Sequence, residues 1–211
     1  MRRQGHLIVI SGPSGVGKGT VCAELMRRRP DLTLSISATT RKKRPAEVNG
    51  ENYYFYSVDE FNALIDDNRL IEFAQVHGNY YGTPRDFVEQ KLEEGHDVIL
   101  EIDVQGAMQV KRNSSEGVFI FLLPPKLHDL EDRIRHRATE QESEIALRLK
   151  NAEKEIAMLH DYNYAVVNDE VGTCAETISK IIDAENQRID SNLIQSYWRE
   201  FHDQSVIQRT F

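Results

Sequence analysis

The stretch Gly12-Pro13-Ser14-Gly15-Val16-Gly17-Lys18 restricts this chain more than any other part of it. The apolar run Leu7-Ile8-Val9-Ile10 leads into it, and residues 17–28 after it carry a helical pattern. Glycines at this spacing let the backbone bend tightly enough for successive N–H groups to point inward at phosphate oxygens. The helix that follows adds its positive N-terminal end, and Lys18 has the length to reach β- and γ-phosphates. Strand, loop and helix in this order imply a nucleoside triphosphate site made by Gly12, Pro13, Ser14, Gly15, Val16, Gly17, Lys18, Gly19 and Thr20. One position departs from the general pattern. Gly19 stands where Ser or Thr would offer a hydroxyl to Mg²⁺, and Thr20 comes one residue later. Water or Thr20 is left to take that place.

The rest of the chain alternates strand and helix signals. Apolar runs suited to buried strands recur at Val98–Ile102, Val118–Leu123 and Ala165–Val167, and helical patterns fall at 84–94, 126–137 and 142–159. Ile145, Leu149, Ala152, Ile156 and Leu159 make one helical stripe, and Cys174, Ile178, Ile181 and Ile182 make another. Strands alternating with helices predict a parallel α/β sheet covered on both faces. Residues 35–83 break this rhythm. Tyr53-Tyr54-Phe55-Tyr56 and Leu70–Val76 read as strands among polar turns that contain Gly50, Gly78 and Gly82, which predicts an inserted lobe with a small mixed or antiparallel sheet. The polar segment 137–144 reads as a flap between two helices. Ile189, Leu193, Ile194, Tyr197 and Trp198 suggest an amphipathic helix over about 187–202, packed on the core or on a second subunit, so a homodimer or higher oligomer is compatible with the pattern.

Charge narrows the partner classes. The formal net charge is -8, which argues against a general nucleic-acid binder. No apolar stretch is long enough to span a membrane, and the two cysteines, Cys22 and Cys174, form no disulfide framework or metal spacing. A cytoplasmic setting fits these features. Against this acidic background the run Arg41-Lys42-Lys43-Arg44 stands out; alone it also reads as a solvated charge run or a localisation signal.

Beyond the loop, six blocks occur in order: Ser11–Thr20 (SGPSGVGKGT), Ser35–Arg44 (SISATTRKKR), Glu47–Tyr53 (EVNGENY), Ile71–Tyr81 (IEFAQVHGNYY) with Gly82-Thr83, Leu100–Gly106 (LEIDVQG) and Arg137–Glu140 (RATE). Together they resemble the guanylate kinase family over roughly residues 6–186. The resemblance implies a P-loop kinase core with a parallel sheet flanked by helices (residues 1–34, 84–128 and 158–211), an inserted GMP-binding lobe with a small mixed sheet (35–83) and a helical lid (129–157). It implies ATP-dependent phosphorylation of GMP, and of dGMP, with Mg²⁺ carried on the ATP phosphates and water and with Thr20 or Asp103 as candidate protein ligands. It implies small-molecule substrates only, ATP and GMP, with neither nucleic acid nor membrane as partner.

By the same resemblance Arg41 and Arg44 hold the GMP phosphate, with hydroxyls from Tyr53 and Tyr81 and with Glu47 organising the arginines. The planar fork of arginine suits phosphate. Glu72 reads the base, since a carboxylate accepts from the guanine ring N–H and its exocyclic amine together; from spacing alone it could equally be a surface carboxylate on a strand. Ser37 matches a partner for the guanine oxygen, Thr83 a base or ribose contact, and Glu101 an acidic position facing guanine. Asp103 ends an apolar strand, where it can bind Mg²⁺ through water, orient the acceptor or cap the next helix. Lys18, Arg41, Arg137 and Arg148 are the expected catalytic set, with Arg133 and Arg137 also on ATP. Ala138 follows Arg137 where relatives carry glycine. Arg133 and Arg137 also fit a solvated helix laced with acids. A phosphate acceptor with second pKa of about 6 is already a nucleophile at neutral pH, so no general base is required. Two other readings fit parts of the pattern: a non-catalytic peptide-binding module and a kinase for another nucleoside monophosphate.

Overall fold

The computed structural model describes residues 5–76, 78–113, 117–136 and 142–189, together with Ile194, Trp198 and His202. Five strands form a parallel sheet: β1 (Leu7–Ser11), β2 (Thr33–Leu34), β7 (Val98–Glu101), β8 (Val118–Leu123) and β9 (Tyr164–Val167), in the order β2-β7-β1-β8-β9. The four apolar runs singled out in the sequence are four of these strands. Each strand sheds side chains to alternate faces, and both faces are covered, which is why the runs are continuous rather than alternating. On one side Ile8, Ile10, Ile120 and Leu122 pack with Val21 and Leu25 of α1 (Lys18–Arg28) and with Cys174, Ile178 and Ile182 of α7 (Val171–Glu185). Leu130 of α5 (Leu127–His136) and Ala152 of α6 (Glu142–Ala157) belong to the same cluster. On the other side Leu7, Val9, Leu100 and Phe119 pack with Val88 of α3 (Arg85–Glu93) and with Ala107, Met108 and Val110 of α4 (Val104–Asn113).

A second sheet of four strands occupies the inserted region: β3 (Ala38–Thr39), β4 (Tyr54–Phe55), β5 (Leu70–Val76) and β6 (Asn79–Pro84), ordered β4-β3-β6-β5. β3 pairs parallel with β4, and the other pairs are antiparallel, so the sheet is mixed as expected. Its own small core is Ala38, Phe61 and Leu70. Phe61 comes from α2 (Val58–Asp66), which a Ser57–Glu60 capping box starts.

Several elements differ from the sequence reading. Gly82, expected in a turn, lies inside β6, and Gly78 sits in the turn that closes the β5–β6 hairpin. In β6, Tyr81 and Gly82 pair with Thr39 and Ala38. The short β2 and β3 lacked a period to read, and α2 was passed over although Ser57-x-x-Glu60 and the stripe Val58, Phe61, Leu64 and Ile65 mark it. The flap segment 137–141 lies outside the described residues, and α6 begins at Glu142. The amphipathic stretch after 189 also lies outside them, except that Ile194, Trp198 and His202 are helical. Among the described residues no helix is long and apolar enough to cross a membrane.

Candidate phosphate and base sites

β1 lies at the centre of the parallel sheet with β7 on one side and β8 on the other, so its carboxyl end is the point where the strand order reverses. Crevices at such points are where open α/β sheets take ligands. The Gly12–Lys18 loop starts there. Gly17 precedes α1 at φ 96°, in the left-handed region, and a side chain there would also meet Asn168 Nδ2 at 2.7 Å. At Gly12 a Cβ would come 2.6 Å from the Leu122 carbonyl oxygen, so the loop enters against β8 with no room for a side chain. Asn168, just past β9, donates from Nδ2 to the Val16 carbonyl at 2.7 Å and so clamps the loop from outside. The sequence reading missed Asn168; its signal was a polar residue ending an apolar strand.

Lys18 Nζ donates to the Gly12 carbonyl at 2.6 Å. Burial pushes its ammonium below the ordinary lysine value, and Glu101, Glu155 and Asp103 pull it back up. Burial raises all three carboxyls in turn. Three acids around one lysine make a polar floor on which a polyanion requires further cations. Glu155 was not anticipated: it lies on α6 and accepts weakly from the Ser14 N–H at 3.4 Å. Glu101 lies against the loop, where a Cβ on Gly19 would stand 3.4 Å from its Oε1. A Cβ at 19 would thus sit in ordinary contact with this carboxylate. Thr20 is exposed one residue on.

Asp103 caps α4. Its carbonyl accepts from the Ala107 N–H and its Oδ1 from the Gly106 N–H at 2.8 Å. The cap reading is thus realised, and the carboxyl still stands close enough to Lys18 for the two charges to interact.

The lobe gathers the arginine cluster. Arg41 forks onto Glu47 through Nη1–Oε2 at 3.1 Å and Nη2–Oε1 at 2.7 Å, and Glu47 also accepts from the Arg44 N–H at 2.8 Å. The Arg41 bond holds the Glu47 carboxyl down at about 2. The Arg41 guanidinium lies 5.4 Å from the centre of the Tyr53 ring and 5.7 Å from that of Phe55. Tyr53 and Tyr81 meet edge to face at 6.1 Å. Lys42, Lys43 and Arg44 are exposed, and the Arg44 charge also helps to lower the Glu47 carboxyl.

Glu72 is only 4% exposed, on β5, and accepts from the Thr83 hydroxyl at 2.7 Å. Burial pushes its carboxyl up to about 7 against the pull of that bond, and nearby Asp103 adds to the rise. Thr83 is fully buried and spends its proton on Glu72. Ser37 is half-buried just before β3. Arg133 falls on α5 with its side chain outside the described residues, Arg137 lies outside them altogether, and Arg148 is half-buried on α6.

The family model described as guanylate kinase matches residues 4–185. The chain belongs to the guanylate kinase family. It is 53% identical over 192 residues to the guanylate kinase of Caldanaerobacter subterraneus subsp. tengcongensis, covering 91% of this chain and 93% of that protein. It is 50% identical over 206 residues to that of Lactococcus lactis subsp. lactis, covering 98% of this chain and all of the relative (100%). The crystal structure of guanylate kinase from Anaplasma phagocytophilum superposes with a TM-score of 0.74 at 34% identity, over 89% of each chain. In this guanylate kinase the phosphate loop, the arginine cluster and the buried Glu72 are therefore parts of one fold.

Proposed function

We propose that the chain transfers the γ-phosphoryl group of ATP to GMP, and to dGMP, giving ADP and the nucleoside diphosphate. The observation that carries this is the adjacency of Glu72 to the phosphate loop through Asp103. A Cβ on Gly106 would meet Glu72 Oε2 at 2.3 Å and Asp103 Oδ1 at 3.3 Å, and Asp103 in turn acts on Lys18. This proximity supports reading Glu72 as the base reader beside the triphosphate cradle.

In the reaction an oxygen of the GMP phosphate forms a bond to the γ-phosphorus while the bond to the β–γ bridging oxygen breaks and its electrons leave on ADP. No proton need move, so the residues act by position and charge. The loop N–H groups and Lys18 hold the donor. Arg41 and Arg44, with Tyr53 and Tyr81, hold the acceptor phosphate, and Glu47 keeps Arg41 oriented. Glu72 accepts from the guanine ring N–H and exocyclic amine; Ser37 meets the guanine oxygen. Glu101 and Asp103 line the space between donor and acceptor. Arg133, Arg137 and Arg148 supply charge over the ATP phosphates. Residues 35–83 serve as the GMP lobe and 129–157 as the lid.

The donor set suits Mg²⁺. The groups at the site are hard oxygens, the Thr20 hydroxyl and the Asp103 carboxyl, and among the described residues no group of three or more His, Cys, Asp or Glu side chains is arranged as a metal cage. That fits a cation carried mainly by phosphates and water. Bound with ATP, it neutralises charge across the phosphate oxygens.

A coupled phosphotransfer assay across all nucleoside monophosphates tests the reading. GMP should be the preferred acceptor; preference for AMP or UMP would remove the roles given to Glu72 and Ser37, and absence of any transfer would favour a binding module.

A further inference from the structure

β5 is the edge strand of the lobe sheet, hydrogen-bonded to β6 on one side only. Its other edge meets α4 of the core. There the Gln109 amide closes on the backbone of one residue: Phe73 N–H donates to Oε1 at 3.1 Å and Nε2 donates to the Phe73 carbonyl at 2.6 Å. Only one orientation of the amide satisfies both bonds. Phe73 directly follows Glu72, and the β5–β6 register shifts between Leu70 and Phe73, so Glu72 sits where the sheet itself holds the strand least. One turn before Gln109 on the same face of α4, Gly106 leaves the space that the Glu72 carboxylate fills; a Cβ there would stand 2.3 Å from Oε2 and 3.0 Å from Cδ.

We infer that Gln109 and Gly106 are specificity-determining positioning residues, which pin the backbone next to Glu72 and make room for its carboxylate so that it faces a guanine edge at a set depth. The inference rests on the reading of Glu72 as the guanine acceptor.

A purely structural role fits less well. The Gln109–Phe73 bonds lie at an exposed edge, and Phe73 itself is 37% exposed. Water can replace such bonds at little cost to folding. What water cannot replace is the fixed distance between α4 and Glu72. Misplacing a paired acceptor by a fraction of an ångström weakens both guanine bonds together, and a polar site discriminates through such pairs.

The test uses Gln109→Met, which keeps the length and helix preference of the side chain but removes both bonds, and Gly106→Ala, which improves the helix former while filling the Glu72 space. KM and kcat are measured for GMP, for inosine monophosphate (which keeps the ring N–H and lacks the exocyclic amine) and for ATP, alongside thermal unfolding. Each variant should raise KM for GMP about tenfold, corresponding to one or two lost hydrogen bonds. KM for inosine monophosphate should rise less, KM for ATP should stay near wild type, and the unfolding temperature of Gln109→Met should also stay near wild type, whereas Gly106→Ala is overpacked and melts lower. Unchanged GMP kinetics, or equal losses for GMP, inosine monophosphate and ATP that follow a fall in stability, would overturn the inference. Glu72→Gln, run in parallel, separates the two levels. If it leaves GMP kinetics unchanged, the reading of Glu72 fails; if it impairs GMP while the α4 variants do not, only the positioning role fails.

Discussion

Glu72 is a carboxylate kept where burial opposes its charge. It accepts a hydrogen bond from the Thr83 hydroxyl, and burial holds its carboxyl up at about 7. Between about pH 4.5 and 7 the folded protein therefore keeps a proton that the unfolded chain has released, so stability falls as pH rises through that window. The full penalty, on the order of 3 kcal/mol, is present above pH 7. Glu72→Gln should accordingly be more stable than wild type at pH 8, with the gap closing toward pH 5, while its GMP discrimination is lost. Denaturant melts at the two pH values check this; an equal or lower stability at pH 8 would contradict it. Lys18 stands at the opposite extreme, a cation that burial disfavours and three acids restore. Lys18→Ala should cut turnover at least about a hundredfold with GMP binding retained, read by calorimetry with GMP alone; loss of GMP binding would mean the two sites are misassigned.

The elements carry residues to places their own sequence does not indicate. Asn168 belongs to the end of β9 yet secures the phosphate loop by its bond to Val16. Asn168→Ala removes that bond to a buried carbonyl, which should cost about 1 kcal/mol of stability. It should also raise KM for ATP more than KM for GMP, a split that initial-rate kinetics would show and that equal changes would refute. Arg41 and Glu47, six positions apart, are joined by a two-bond fork. Glu47→Gln should leave the fold intact and weaken GMP through a freer Arg41, seen as a rise in KM for GMP with ATP unaffected. The loop, the arginine run and the four core strands were legible because each is local: a glycine spacing, a charge run against an acidic background, a continuous apolar run. β2 and β3 were not. Two-residue strands have no period, and Gly82 read as a turn because glycine is poor in isolated strands. It is tolerated in β6 because a Cβ there would press on the Glu72 carbonyl oxygen at 2.9 Å and on the Phe61 ring at 3.1 Å.

At the scale of the molecule, α4 joins the parallel core sheet to the lobe sheet. The lobe strand β5 and helix α4 pack closely, and Glu155 of α6 reaches the phosphate loop from the other side. Binding of both substrates should draw lobe and lid inward and exclude water from the transferring group. Solution scattering with GMP and a non-hydrolysable ATP analogue should show a smaller radius of gyration than the free protein; no compaction would count against closure.

By itself the sequence determined the family and the parallel core, since these depend on residue types at short spacings. Tertiary structure alone decided what each group faces. Glu72 could have been a surface carboxylate, because strand alternation assigns it a side without saying what covers that side. Packing against Gly106 and Thr83 buries it, and that burial, not the residue type, sets its charge and its reach. Gln109 and Glu155 carried no local signal, and Asn168 only that of a polar residue ending an apolar strand, because their partners are 36, 141 and 152 residues away in the chain.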